Sequence, residues 1–129
     1  MLPRRKPIPA KRDTRWRSPA HTGWLVKTFG CCMCGSTTNT VAAHVRLGSH
    51  TGLGQKPDDW RTVPLCDGIS SAAGGMLGCH NRQHVIGEAT FWRQYEAENG
   101  QTVEQLLASL CSASPKAAEI RRAKAEREL

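Results

Sequence analysis

The chain has no apolar run near the roughly 18 residues that a membrane span requires, and its basic N-terminus lacks the apolar stretch of a signal peptide. This absence predicts a cytoplasmic protein without a membrane partner, in a compartment where thiols stay reduced. Aromatic residues are also scarce, at 5%, and only 39% of residues are hydrophobic. In 129 residues, such a thin apolar core favours a single domain with tails, held together by a crosslink or a metal.

Six cysteines stand out against this composition, and reducing conditions favour metal binding over disulfides. Cys31 and Cys34 have the C-x2-C spacing with which two thiolates meet one tetrahedral zinc, and Gly35 relieves the backbone there. Buried reduced cysteines are the alternative interpretation. Cys32 is expected to point away from the metal, and Cys111 is interpreted as a core residue.

Cys66 and Cys79 are the second predicted pair of zinc ligands. They enclose a stretch rich in Gly, Ser and Ala, which we interpret as a flexible excursion that need not prevent zinc binding. In an alternative ligand set, His80 replaces Cys79 as the fourth ligand.

Three histidines lie near these cysteines. His44 interrupts the strand-like apolar run 41–46, where a lone histidine is more often structural than catalytic. His80 and His84 are four residues apart, which places both imidazoles on one helix face and suits the binding of a single cation.

The formal net charge of +7 is concentrated at the N-terminus, where residues 1–17 carry seven basic side chains against one acidic residue. Three prolines there suppress helix and predict a mobile arm. We expect this arm to bind DNA phosphates, with a solubilising tail as the alternative. The candidate DNA-binding residues are Arg4, Arg5, Lys6, Lys11, Arg12, Arg15 and Arg17.

Five short motifs share their order with a known group of proteins: C-x2-C at 31–34, A-H-V at 43–45, K-P-x-D at 56–59, V-P-L-C at 63–66 and C-H-x3-H at 79–84. This order resembles the HNH, or ββα-metal, endonuclease superfamily over about residues 25–98. More narrowly, it resembles phage-encoded proteins related to the recombination enhancement nuclease, whose cutting of DNA depends on the RecA recombinase.

The resemblance implies an α+β fold with a small ββα-metal (HNH) core and structural zinc. The rest of the sequence predicts flanking C-terminal helices and a disordered basic N-terminal arm. We place the arm at residues 1–22, the nuclease domain at 23–112 and a charged helical tail at 113–129. The implied partners are DNA and a RecA-type recombinase filament, in the cytoplasm of a bacterial host.

The resemblance also implies roles for individual residues. His44 matches the general base that activates water, and His80 and His84 match ligands of a catalytic Mg²⁺ or Mn²⁺ ion. The cysteines that match the structural Zn²⁺ ligands are Cys31, Cys34, Cys66 and Cys79.

Two positions depart from the family pattern. Ala43 stands where many HNH enzymes have a further metal ligand, and the asparagine that orients the base is absent from 56–62. Asp59 is a candidate to orient His44 or reach the metal, or else a turn or cap residue. These departures favour a second class, a zinc-stabilised DNA-binding or adaptor module without cleavage. A zinc deaminase is excluded because no H-x-E precedes a P-C-x-x-C.

The remaining pattern predicts the supporting elements. We expect residues 25–29 to be part of a β-hairpin, and residues 88–96 to form a helix that ends near Gly100. Thr102 and Gln105 predict a capping box that opens a further helix with an apolar stripe, which is more often core than partner surface. The tail from Lys116 is predicted to be a solvated helix that orders only on DNA or a partner. His50 has no matching role.

Overall fold

The computed structural model describes residues 2–4, 15–49, 56–68 and 78–127. Within these ranges it is a small α+β structure, as predicted, with one two-stranded sheet and five α-helices. None of these helices combines the length and the apolar character needed to cross a membrane. In chain order the elements are α1 (Pro19–Thr28), β1 (Thr40–His44), a 3₁₀ turn (Asp59–Arg61), β2 (Thr62–Cys66), α2 (Cys79–Ile86), α3 (Glu88–Asn99), α4 (Val103–Ala113) and α5 (Ala117–Arg127).

Helix α1 replaces the strand that the sequence predicted at 25–29, and this prediction was wrong. Ser18 caps the helix by accepting a hydrogen bond from the His21 N–H at 3.1 Å, and Pro19 opens its first turn. His21 and Leu25, one turn apart, are its fully buried side chains. The short apolar alternation at 25–29 resembles a strand, because the signals that start the helix lie upstream, inside the segment assigned to the arm.

The sheet is an antiparallel ribbon in which Thr40 pairs with Cys66 and His44 with Thr62. Alternation along β1 and beyond buries Ala43 and Val45 in the core, while Ala42 and His44 lie on the opposite face. The strand predicted at 41–46 is therefore found, with β1 at Thr40–His44. A two-stranded ribbon is marginal alone, so α1 and α4 pack against it.

The core forms where the helices cover the ribbon. Phe91, Trp92 and Tyr95 of α3 are at most 3% exposed, as expected for that helix. Gly100 ends α3 in the left-handed conformation, with φ of 70°. The capping box at Thr102 is present, and the buried stripe of α4 consists of Val103, Leu106, Leu107, Leu110 and Cys111.

The C-terminal helix packs onto the body, in contrast to the solvated tail that we expected. Ile120 of α5 is 1% exposed and lies in a small cluster with Trp60 and Cys111. Trp16 stacks on Trp60 with ring centroids 5.7 Å apart, so the chain on both sides of residues 23–112 contributes to the packed structure. Ile120 is the buried residue of α5 and anchors the helix, with the half-buried Ala123 packed against the same cluster.

His21 generates a prediction about stability and pH. Its side chain is fully buried between Trp16 and Trp24, and its Nδ1 lies 2.7 Å from Ser114 Oγ. Burial lowers the pKa of His21 below its ordinary value of 6.5, and the charge of Asp59 opposes this only in part. Protonation of His21 is therefore less favourable in the folded protein than in the unfolded chain.

The stabilisation that neutral His21 gives the folded protein is fully present above pH 6.5, its ordinary pKa. This stabilisation is lost as the pH falls below that value. In chemical unfolding at pH 7 and pH 5.5, we expect wild type to lose more stability than His21→Asn, by at most about 1.4 kcal/mol per pH unit. Zinc loss affects both proteins alike and cancels in the comparison. Parallel stability curves for the two proteins would contradict this assignment.

Candidate metal centre and histidine cleft

Four thiols meet at one point of the structure. The Sγ atoms of Cys31, Cys34, Cys66 and Cys79 all lie within 4.8 Å of one another, and Cys34 and Cys66 are 3.6 Å apart. Zn–S bonds of about 2.3 Å place sulfurs about 3.8 Å apart in a tetrahedron. The four cysteines are thus close enough to hold one metal ion such as zinc, as the sequence predicted.

The first cysteine pair is shaped by a tight backbone turn. The Cys31 N–H donates to Ser36 O at 2.8 Å, and the Gly35 N–H donates to Cys31 O at 2.9 Å. Gly35 has a φ of 80°, which side chains rarely adopt, so glycine fits the turn. The Cys32 N–H donates to Pro64 O, which attaches the turn to β2.

The second pair joins the end of β2 to the start of α2. The Cys79 N–H points at Cys66 Sγ, 3.3 Å away. Gly78 permits this approach, because a Cβ there would lie 2.4 Å from the Gly68 backbone nitrogen. Residues 69–77 of the predicted excursion lie outside the described residues.

The thiols differ in their readiness to ionise. Burial raises the pKa of Cys31, but hydrogen bonds from the backbone around Cys34 and Cys66 outweigh it and bring that pKa to about 7. Burial raises the pKa of both Cys66 and Cys79. Because zinc binds thiolates, its binding must release the protons of these two thiols.

The two other cysteines take no part in the cluster. Burial, followed by the neighbouring charge of Cys31, raises the pKa of Cys32 to about 12. Cys111 is buried in the core and its thiol donates to Trp60 O at 3.3 Å. Both predictions, a bystander and a core cysteine, are confirmed.

A cleft of about 330 Å³ lies beside the cysteine cluster. Ala42, His44 and Arg46 reach it from β1 and its continuation, since residues two apart share one face of a strand. His80, Gln83 and His84 line it from one face of α2. Lys56 and Glu88 complete the lining.

His44 is oriented by Asp59 within this cleft. His44 Nε2 lies 2.9 Å from Asp59 Oδ1. A carboxylate only accepts hydrogen bonds, so this contact places the ring proton on Nε2 and leaves Nδ1 as the basic nitrogen. Asp59 is held in turn by the Ser18 N–H at 2.8 Å and by Arg17 at 3.4 Å.

His80 and His84 form a pair on α2, with their Nε2 atoms 3.3 Å apart. Burial lowers the pKa of His80, helped by the charge of His84 and opposed by Asp67. The neutral imidazole is the form that binds a metal ion. Among the described residues, only the four cysteines bring three or more ligand atoms within 4.8 Å of one another.

The predicted DNA-binding arm is described only in part. Arg4 is exposed and Arg15 is half-buried, while Arg17 donates to Lys56 O and Pro57 O and pairs with Asp59. Arg17 thus has an internal structural role. The other predicted positions, Arg5, Lys6, Lys11 and Arg12, lie outside the described residues, as does His50.

Four cleft residues were missed from the sequence: Arg46, Lys56, Gln83 and Glu88. Arg46 follows His44 by two residues and Gln83 follows His80 by three, so the strand and helix periods would have found both. Lys56 stands in the K-P-x-D motif, which did not indicate that it lines the cleft, and Glu88 lies outside these periods.

Comparison with known proteins gives no relative from which to transfer a function. The sequence matches no family model, and it finds no match among curated proteins or solved structures.

Removing one thiol from the cysteine cluster should cost the protein its metal and part of its stability. We expect one zinc per chain in the wild type, and loss of that zinc in Cys66→Ser, because a hydroxyl is a poor substitute for a thiolate. Losing about 3 kcal/mol or more of metal-linked stability should lower Tm by about 10 °C or more. The measurements are elemental analysis and thermal unfolding.

Cys32→Ala is the matched control, since Cys32 is adjacent to Cys31 but outside the cluster. It should keep its zinc. A wild-type protein without zinc, or Cys66→Ser with a full complement, would contradict the assignment.

Proposed function

We propose that this protein is a metal-dependent DNA endonuclease of the HNH type, hydrolysing phosphodiester bonds with a histidine-activated water. One observation carries the proposal. His44, already paired with Asp59, lines the same cleft as the two facing imidazoles of His80 and His84. A base and a cation site on opposite walls are what water attack on a phosphate requires.

In the proposed reaction, His44 Nδ1 takes a proton from a water molecule as its oxygen bonds to phosphorus. The bond from phosphorus to the 3′ oxygen breaks, and the leaving oxygen takes a proton from solvent, which gives a 5′-phosphate and a 3′-hydroxyl. Asp59 keeps the imidazole in the required tautomer and stabilises the imidazolium that forms. Each site cuts one strand.

His80 and His84 would hold the divalent cation, Mg²⁺ or Mn²⁺. When bound, this ion neutralises charge on the scissile phosphate and the leaving oxygen. Ala43 is 1% exposed and faces the core, so position 43 adds no ligand. Glu88 is the carboxylate among the residues lining the cleft and is the candidate for an additional oxygen ligand.

The substrate and setting follow from charge and from the resemblance. A net charge of +7 suits a polyanionic partner. Phosphate contacts position DNA without specifying its sequence, so we propose low sequence selectivity and a role in phage recombination or DNA processing. Dependence on a RecA-type filament and a location in the bacterial cytoplasm belong to this proposal.

The second candidate function is a zinc-stabilised DNA-binding or adaptor module without cleavage. The buried Ala43 favours it, because it leaves the cation fewer protein ligands. The hydrogen-bonded pair of His44 and Asp59 favours the enzyme, because four thiolates already satisfy zinc and binding DNA alone requires no oriented base.

The proposal is tested by incubating the purified protein with supercoiled plasmid and Mg²⁺ or Mn²⁺, with and without a recombinase filament. Wild type should nick or linearise the plasmid. His44→Ala should lose about 10²-fold or more in rate, because general-base catalysis contributes typically 10²–10⁴-fold. The double variant His80→Ala with His84→Ala should lose the cutting that the added ion supports.

His21→Asn is the matched control, because His21 is a histidine outside the cleft. It should cut at the wild-type rate at pH 7.5. If wild type leaves the plasmid intact in every condition, the adaptor module replaces the nuclease. Full activity in His44→Ala would mean that another group is the base.

A further inference from the structure

Two basic residues that line the cleft, Arg46 and Lys56, have backbone groups held by hydrogen bonds. Within the described residues, their side chains form no ion pair. The Arg46 N–H donates to Glu88 Oε1 at 2.9 Å, and Lys56 O accepts from Arg17 at 3.2 Å. In the described part of the chain, neither the Arg46 guanidinium nor the Lys56 ammonium has an ion-pair partner. Both residues are exposed.

Three other arginines of the described chain are already engaged in ion pairs. Arg17 pairs with Asp59, Arg61 with Glu104 and Arg127 with Asp58. The contrast matters because an unpaired cation on a fixed backbone can bind an anion without first breaking an ion pair.

The distance between Arg46 and His44 suits contact of Arg46 with a phosphate next to the proposed scissile one. It follows His44 by two residues on the same extended segment, so the two Cα atoms are about 6.6 Å apart. The Val45 N–H donates to Arg61 O at 2.8 Å, which continues the ladder beyond β1 and fixes this spacing. A phosphate beside the one attacked from His44 is therefore within reach of Arg46.

We propose that Arg46 and Lys56 form a phosphate clamp that binds the DNA backbone on either side of the scissile phosphate. The inference rests on the proposed function, and it adds a phosphate contact in the cleft to the one predicted for the N-terminal arm. Arg46 binds one phosphate through its planar fork, and Lys56 acts as a point charge. The clamp carries no base contacts, which agrees with low sequence selectivity.

The test is DNA binding measured without added divalent ion, by fluorescence anisotropy of a labelled duplex across a range of salt concentrations. Arg46→Gln and Lys56→Gln should each weaken binding several-fold at ~0.1 M salt. Each should also reduce the slope of log K against log salt by about 0.9, because the variant neutralises one phosphate fewer on duplex DNA. Arg46→Lys should restore most of the slope.

Lys27→Gln and Arg93→Gln are charge-matched controls, since both residues are exposed and lie outside the cleft lining. They should leave the slope near the wild-type value. Cleft variants with slopes like these controls would overturn the clamp, even if the protein cuts plasmid. Cleft variants with reduced slopes, in a protein that never cuts, would support the clamp while the nuclease proposal fails.

Discussion

The convergence of four thiols is the constraint on which the candidate site depends. Cys66 is the last residue of β2 and Cys79 is the first of α2, so one metal ion would join the ribbon to the helix. His80 follows Cys79 directly, and His84 lies one helical turn later. The position of both imidazoles relative to His44 is therefore set by the same thiols that stabilise a thin core.

Asp59 provides a second connection, between the histidine cleft and the rest of the chain. It accepts hydrogen bonds from His44 and from the Ser18 N–H at the start of α1. Its neighbour Asp58 accepts from the Trp16 N–H and pairs with Arg127 of α5. Residues 16–18 and helix α5 are thus bound to the adjacent carboxylates Asp58 and Asp59, which explains why both pack against the body.

The sequence predicted the metal centre well because ligand spacing reports local geometry. The C-x2-C spacing identified Cys31 and Cys34, and the start of α2 at Cys79 placed His80 and His84 on one face. Helices α3 and α4 were also predicted, since Gly100 and the Thr102 capping box are local signals.

Long-range packing limited the rest of the prediction. The α1 helix was missed because its start signal, Ser18-Pro19, lay in a segment interpreted as a basic arm. The packing of α5 depends on Ile120 finding a cluster with Trp60, 60 positions earlier in the chain, which no periodicity reports. Arg17 was predicted to bind DNA from its charge alone, because its contacts with residues 56–59 cannot be inferred from the local sequence.

In the proposed division of roles, four cysteines hold a structural metal and three histidines remain for chemistry. X-ray absorption at the zinc edge of the purified protein tests it most directly. We expect a shell of four sulfur atoms at about 2.3 Å and no imidazole nitrogen. A shell with a nitrogen ligand at about 2.0 Å would contradict it, because His80 would then belong to the scaffold instead of the cleft.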